Sequence, residues 1–499
     1  MNYGWLSILP PIIAIILALL TKEVIFSLIV GIFAGGLIFT KGNILLAIET
    51  VFSLMAEKIG GNGSMLIFLG LLGALVYVMN RAGGSYAYGQ WAGKRVKTKG
   101  VAQLLTAFLG MLIFIDDYFN CLTVGAVMKP ITDKNNVSRA KLAYLIDSTA
   151  APICIIAPVS SWAASIISTM QEAGVDNPMN MFSSTIPFNL YAILTIISVI
   201  YFSISKNDIG IMQSFSKNDI SKLKSDESKT MKHSEKGRVF DMVIPILVLI
   251  FVAIYFMLRT GGFFAKNIPL RDAFGEANVN LSLVVASVMA LIVAFILYIP
   301  RKLMTFYEFM DGINEGVKTM TGAIIILILA WTIGGITKPE FLGTGEFISE
   351  SLKSASFPVW ILPALIFAIS AFLSFATGTA WGTFGIIIPI MIPVIAQMGA
   401  GDHMSIILSA ILSGSIFGDH CSPISDTTIL SSAGASCNHL DHVKSQMPYA
   451  LIVSFASIFG FLAGGYFNNA LIAFAVGFVI LAVEIKLIQN MTIKKYGSN

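Results

Sequence analysis

Carboxylates, hydroxyls and prolines collect in short stretches of an otherwise apolar chain. FGDHCSPISDTTILSS (417–432) carries Asp419, His420, Ser422, Pro423, Ser425, Asp426 and Thr427. IDDYFN (115–120) carries Asp116, Asp117 and Asn120, and DSTAAP (147–152) carries Asp147, Ser148 and Thr149. APVSSW (157–162) adds Pro158, Ser160 and Ser161, and TGTAWG (377–382) adds Thr377, Gly378, Thr379 and Gly382. Carboxylate, hydroxyl and carbonyl oxygens suit hard cations, and a sodium ion needs several of them for one formal charge. Desolvation disfavours a charged carboxylate, so the same group can hold a proton. Such a site binds sodium or protons in competition, and the competition couples their movement.

Each residue also has a plainer role. Asp116 and Asp117 point about 100° apart on a helix, so one can cap or pair while the other faces the site. Asp117 is the better candidate, because Asn120 and Cys121 fall on its face. Asp147 and Asp419 can each cap a half-helix, and Asp426 can be satisfied by the hydroxyls around it. His420, His439 and His442 are candidate interfacial pH sensors, since histidine titrates near neutrality, with ordinary surface histidines as the alternative. The CNHLDH spacing at 437–442 fits no structural zinc site, and the four cysteines form no CxxC pair, so neither a metal centre nor a disulfide scaffold is expected. Asp419, His420 and Ser422 are nearly contiguous and cannot face one another as a hydrolytic triad. The chain is not expected to be an enzyme.

These residues must be positioned by membrane helices. The chain has 499 residues, 56% hydrophobic and 12% charged, with a mean hydropathy of +0.81, outside the soluble range. Apolar runs long enough to span a bilayer recur, as at 5–21, 186–204, 239–258 and 281–299. The first run lacks a basic n-region and a cleavage site, so it reads as a retained span. A net charge of +4 gives no reason to expect a nucleic-acid partner. The one long polar interruption, 206–238, contains SKNDI twice (205–209 and 216–220) and eight Lys or Arg. The positive-inside bias makes it a cytoplasmic linker, a solvated connector between an N-terminal half (1–205) and a C-terminal half (239–499), with 259–278 outside.

The halves resemble each other. APVSSW at 157–162 aligns with SPISDT at 422–427, and IDDYFN at 115–120 with TGTAWG at 377–382, in the same order and at nearly the same offset. Pro158, Pro423, Gly378 and Gly382 mark helix breaks, and Gly334-Gly335 reads as another. Inside a bilayer, breaks survive only where protein or a polar cavity takes up the freed backbone groups. Paired breaks in two repeats point to the binding site of a secondary transporter. No Lys or Arg falls inside a break. Lys129, Arg139 and Lys338 only flank them, which favours a cation over an organic anion. Trp162 and Trp381 sit beside breaks, to pack against neighbouring helices or to gate the cavity. The segments 43–59 and 304–320 read as matching amphipathic interfacial helices or short spans.

These motifs, with HLDH (439–442) and QMPY (446–449), resemble the NhaC family of sodium/proton antiporters, within the broad ion-transporter superfamily. The resemblance implies an all-α polytopic membrane protein with two inverted-topology repeats, re-entrant hairpins and discontinuous helices. It implies exchange of sodium (or lithium) for protons across the bacterial inner membrane by alternating access, in a lipid-embedded homodimer. No cofactor is expected beyond sodium as transported or coupling ion. The alternative is an exchanger of an organic solute, a malate- or lactate-type carboxylate or an amino acid, coupled to sodium or protons.

Overall fold

The computed structural model describes residues 3–21, 23–84, 86–87, 96–218, 234, 236–266, 269–270, 273, 276–344, 346–347, 350, 358–423 and 425–496. The central part of the polar linker (219–233 and 235), including the last two residues of the second SKNDI copy, and parts of 259–278 lie outside them. The described residues contain no strand. The protein is an all-helical, multi-pass membrane protein.

In the first half the helices are α1 (Leu9–Thr21), α2 (Val24–Phe39), α3 (Ile44–Gly61), α4 (Gly63–Arg81), α5 (Lys99–Leu112), α6 (Asp117–Lys134), α7 (Arg139–Cys154), α8 (Ser161–Glu172), α9 (Pro178–Thr185) and α10 (Leu190–Ile204). The second half contributes α11 (Phe240–Thr260), α12 (Val279–Tyr298), α13 (Phe306–Thr319), α14 (Thr321–Ile336), α15 (Leu362–Thr377), α16 (Ala380–Gln397), α17 (Met404–Cys421), α18 (Asp426–Ala435), α19 (His439–Phe467) and α20 (Ala470–Tyr496). Among the described residues, eight helices are long and apolar enough to cross a membrane, or nine if the bent pair Pro178–Phe188 and Leu190–Ile204 is one span. Shorter apolar helices and the broken pairs accompany them.

The packing of one half recurs in the other. Within halves, α1 lies on α2 as α11 lies on α12, and α5 on α7 as α15 on α17. The same holds for α7 on α10 and α17 on α19. Between halves several contacts have counterparts: α3 on α14 and α13 on α4, α2 on α14 and α12 on α4, α6 on α18 and α8 on α16. Glycines allow the closest approaches. A Cβ on Gly73 of α4 would stand 2.4 Å from the Gly316 carbonyl oxygen of α13, and one on Gly125 of α6 would stand 2.5 Å from the Gly434 backbone of α18. Without a hydrophobic drive between helices in lipid, such close packing carries much of the association.

The segments expected to be amphipathic are helices. α13 starts with a capping box between Thr305 and Glu308, and Arg81 of α4 reaches both Glu308 and Asp311. In α3, Lys58 is buried and its Nζ lies 2.7 Å from Glu172 at the end of α8. Two expectations about breaks are corrected. α14 runs unbroken through Gly334-Gly335, whose bare faces admit Pro389 and the side chains of Leu54 and Lys58. Gly382 lies in the first turn of α16, and that break is confined to Gly378-Thr379, where Gly378 takes φ +70°. The linker is also more than a solvated connector at its start, since Asp208, Ile209 and Gln213 are buried.

Candidate functional site

Helices break at 113–116, 155–160 and 422–425, and side chains from elsewhere satisfy the backbone they free. α5 ends at Leu112, and the Asn120 amide donates to the Gly110 carbonyl at 2.6 Å and to the Ile113 carbonyl at 3.0 Å. α7 ends at Cys154, whose carbonyl accepts from the Ser160 hydroxyl at 2.6 Å. Ser160 then caps α8 by accepting from the Ala163 N–H. α17 ends at Cys421. There the Gln446 amide donates to the His420 carbonyl at 2.9 Å and the Thr428 hydroxyl to the Asp419 carbonyl at 3.2 Å, while Ser425 caps α18. Non-helical backbone at membrane depth requires this compensation.

The breaks bring the carboxylates together. The Ser161 N–H donates to the Ile115 carbonyl at 2.8 Å, and its hydroxyl donates to Asp116 at 2.9 Å, which ties the α5–α6 break to the α7–α8 break. Asp117 opens α6. It is fully buried and neither carboxylate oxygen has a hydrogen-bond partner among the described residues. The Trp162 indole, also without a hydrogen bond, is beside it. Across the gap Asp419 is buried but satisfied: Ser425 donates to one oxygen at 2.8 Å and Thr427 to the other at 2.7 Å. Asp116 and Asp419 are both within electrostatic range of Asp117, as Asp147 is of Asp419. Cys121, whose thiol approaches the Thr427 carbonyl at 3.9 Å, lies amid all four. No three His, Cys, Asp or Glu groups converge as a metal cage among the described residues, so a cation there would rest on hydroxyl and carbonyl oxygens as well.

Asp147 forms a second node, in the middle of α7 rather than at a cap. The Gln446 amide donates to its Oδ2 at 2.5 Å, and His442 Nε2 lies 3.4 Å from the same oxygen. His442 also meets the Ser431 hydroxyl at 2.9 Å, and His420 Nδ1 meets the Tyr191 hydroxyl at 3.0 Å. His420 and His442 are fully buried, which corrects the expectation of interfacial sensors. His439, half-buried, bonds Ser432 and the Pro423 carbonyl.

Other candidates stand further out. Asp426 is exposed, contrary to its expected burial, and accepts from the Tyr118 hydroxyl at 3.2 Å. Exposed Pro423 precedes it. Thr377 spends its hydroxyl on the Leu373 carbonyl and Thr379 caps Gly382, so neither hydroxyl reaches an aspartate. Thr149 bonds the Leu145 carbonyl, and Ser148 lines a small cavity with Gln446. The Ser422 N–H closes the end of α17 on the Asp419 carbonyl. Trp162 and Trp381 pack edge to face, 5.7 Å apart, across the two halves.

The sequence reading missed Gln446, Tyr118, Tyr191 and, above all, Lys141. This lysine is fully buried in α7. Its Nζ lies 2.5 Å from Asp208 and over the rings of Tyr144, Phe202 and Tyr449. The spacing of Lys141, Tyr144 and Asp147 along one helical face was a signal for it.

Residues 153–466 match the model of the Na+/H+ antiporter family. The chain belongs to this family. It is therefore a secondary antiporter, in a family of transporters rather than enzymes. A Haemophilus influenzae protein is 39% identical over 97% of this chain and 95% of its own length. The malate-2H(+)/Na(+)-lactate antiporter of Bacillus subtilis is 29% identical over 41% of this chain and 42% of its own. The arginine/ornithine antiporter ArcD of Halobacterium salinarum is 33% identical over 31% of each chain. In fold the antiporter is similar to the YdaH transporter of Alcanivorax borkumensis, with a TM-score of 0.56 and 12% identity over 87% of this chain and 89% of that one.

Proposed function

We propose that this antiporter exchanges sodium (or lithium) for protons across the bacterial inner membrane by alternating access. One observation carries the reading. Asp117, Asp147 and Asp419 are buried, and among the described residues no lysine or arginine pairs with them. An uncompensated buried carboxylate costs several kcal/mol, and a bound sodium ion or a proton removes that cost. Asp117, with both oxygens open, is the ligand that either would take. Asp147, Asp419, Ser425 and Thr427 form the supporting oxygen set. Lys129, Arg139 and Lys141 are engaged by Ser436, by Asp133 with the Ser436 carbonyl, and by Asp208, which leaves them poor receptors for an organic anion.

In this reading the two halves are inverted repeats that rock about the breaks. The linker 206–238 is cytoplasmic, two copies associate in the bilayer, and exposed Leu45, Phe251 and Phe372 face lipid. The test uses proteoliposomes with a trapped pH dye and an imposed proton gradient. Sodium or lithium should collapse the gradient, and Asp117→Asn should abolish the response. If inorganic cations do nothing alone while malate, lactate or an amino acid does, the protein exchanges organic solutes and these carboxylates hold only its coupling ion.

A further inference from the structure

A small cavity lies between α7, α10, α17 and α19, and Asp117 is not among its lining residues. Tyr144, Ser148, Tyr191, Thr195, His420, Gln446 and Tyr449 supply its polar lining. Four buried polar atoms of that lining have no hydrogen-bond partner among the described residues: the Tyr144 hydroxyl, Thr195 Oγ1, His420 Nε2 and Gln446 Oε1. The Tyr144 hydroxyl lies near Ser148 and the Tyr191 hydroxyl near Thr195, yet Tyr144 and Thr195 close no bond with these neighbours. Leaving such a group unsatisfied costs its full desolvation. Apolar cavities stay empty, but a water held by two to four polar partners is stable, and near-miss polar pairs are what a bridging water joins.

Both ends of this lining touch charged groups. Gln446 donates to Asp147 through the amide nitrogen whose companion oxygen is unpartnered. At the other end the Tyr449 hydroxyl donates to Asp208 at 2.9 Å, and Asp208 accepts from Lys141. Tyr144 stacks on Tyr449 with ring centroids 4.4 Å apart. The groups that face the cavity or its ends are Tyr144, Asp147 and Lys141 from α7, Tyr191 from α10, and His420 and Cys421 from α17. His442 and Tyr449 from α19, and Asp208 from the start of the linker, complete the set.

We propose that this cavity is an internal water-binding site that joins the Asp147 node to the Lys141–Asp208 pair, and that it gives protons a route that parts from the path of the exchanged cation at Asp147. It has room for about one water. Tyr144, Thr195, His420 and Gln446 are its hydrogen-bond partners. The hydration stands on the lining alone, whereas the proton route rests on the function proposed above.

Two measurements separate these parts. X-ray radiolytic footprinting of the purified full-length protein, read by mass spectrometry, labels side chains beside bound water. Tyr144 and Tyr191 should label several-fold faster than Tyr298, which is equally buried but bonded to the Asp241 carbonyl. Equal, slow labelling of all three overturns the water site. In proteoliposomes, Tyr144→Phe should lower sodium-driven proton flux by roughly tenfold, the loss of one hydrogen bond, while radioactive sodium-for-sodium exchange persists. Equal loss of both overturns the separate route. A wild-type protein silent to sodium in both assays removes the proposed function and the route with it, and leaves the labelling to decide the hydration.

Discussion

The breaks of the first half and those of the second share a framework and differ in how they treat a carboxylate. In the first, Asp116 is held by Ser161 and the adjacent Asp117 is left with two bare oxygens. In the second, Thr379 stands where an aspartate stands in the first, and the carboxylate has moved to Asp419, where Ser425 and Thr427 satisfy it. Repeated packing builds a symmetric cradle. Asymmetric side chains decide that one buried carboxylate is held by hydroxyls and the other is left without a hydrogen-bond partner among the described residues. A symmetric pair of satisfied carboxylates would be a stable structural element with little reason to exchange an ion.

The comparison can be broken at both ends. The largest expected effect is on transport: Asp117→Asn should reduce exchange by roughly a hundredfold or more in proteoliposomes, since the lost group touches the cargo. Its thermal midpoint should stay level or rise, because a buried unsatisfied charge has been removed. Asp419→Leu should do the reverse to stability. It strands the hydroxyls of Ser425 and Thr427, at about 1–3 kcal/mol each, and a fall in midpoint by fluorescence-monitored melting checks this. If the two variants behave alike in both assays, the contrast between the halves is wrong.

Next in size is the close crossing of α6 and α18. Gly125→Ala places a methyl against the Gly434 backbone and should cost about 1–3 kcal/mol by overpacking, read as lower yield of monodisperse protein. Ser161→Ala removes one tie between the first-half breaks and should cost about 1 kcal/mol. The smallest effect belongs to Tyr118→Phe. It loses a bond to exposed Asp426 and should shift the melting midpoint by less than Ser161→Ala does, because exposed groups regain water.

Much of this was legible in the residues. Asp116, Asp117, Pro158 and Pro423 in apolar runs marked the breaks, since burial of charge and loss of backbone donors have few other tolerable settings. The matching motifs at 157–162 and 422–427 fall at a break in each half, and several helix pairings recur between the halves. Less legible was which oxygen is satisfied and by what. Asp426 was a candidate alongside Asp419, yet Asp426 is exposed and the hydroxyls of Ser425 and Thr427 go to Asp419. Gly334-Gly335 looked like a break, but the glycines serve close packing. Lys141 was invisible as a partner because Asp208 approaches it from another element, 67 positions away.

The sequence by itself determined that the chain lives in a membrane, that its helices break near Asp117, Pro158, Gly378 and Pro423, and which oxygen-bearing residues stand near those breaks. Composition and local backbone chemistry are sufficient for that, because they depend only on near neighbours along the chain. Tertiary structure decided which carboxylate is satisfied and which is bare, and that His420, His442, Gln446 and Asp147 form one node. It also decided that a buried lysine is closed off by the linker. Those outcomes depend on hydrogen bonds between residues far apart in sequence, and a buried charge is stabilised or left open by whichever distant donor the packing delivers.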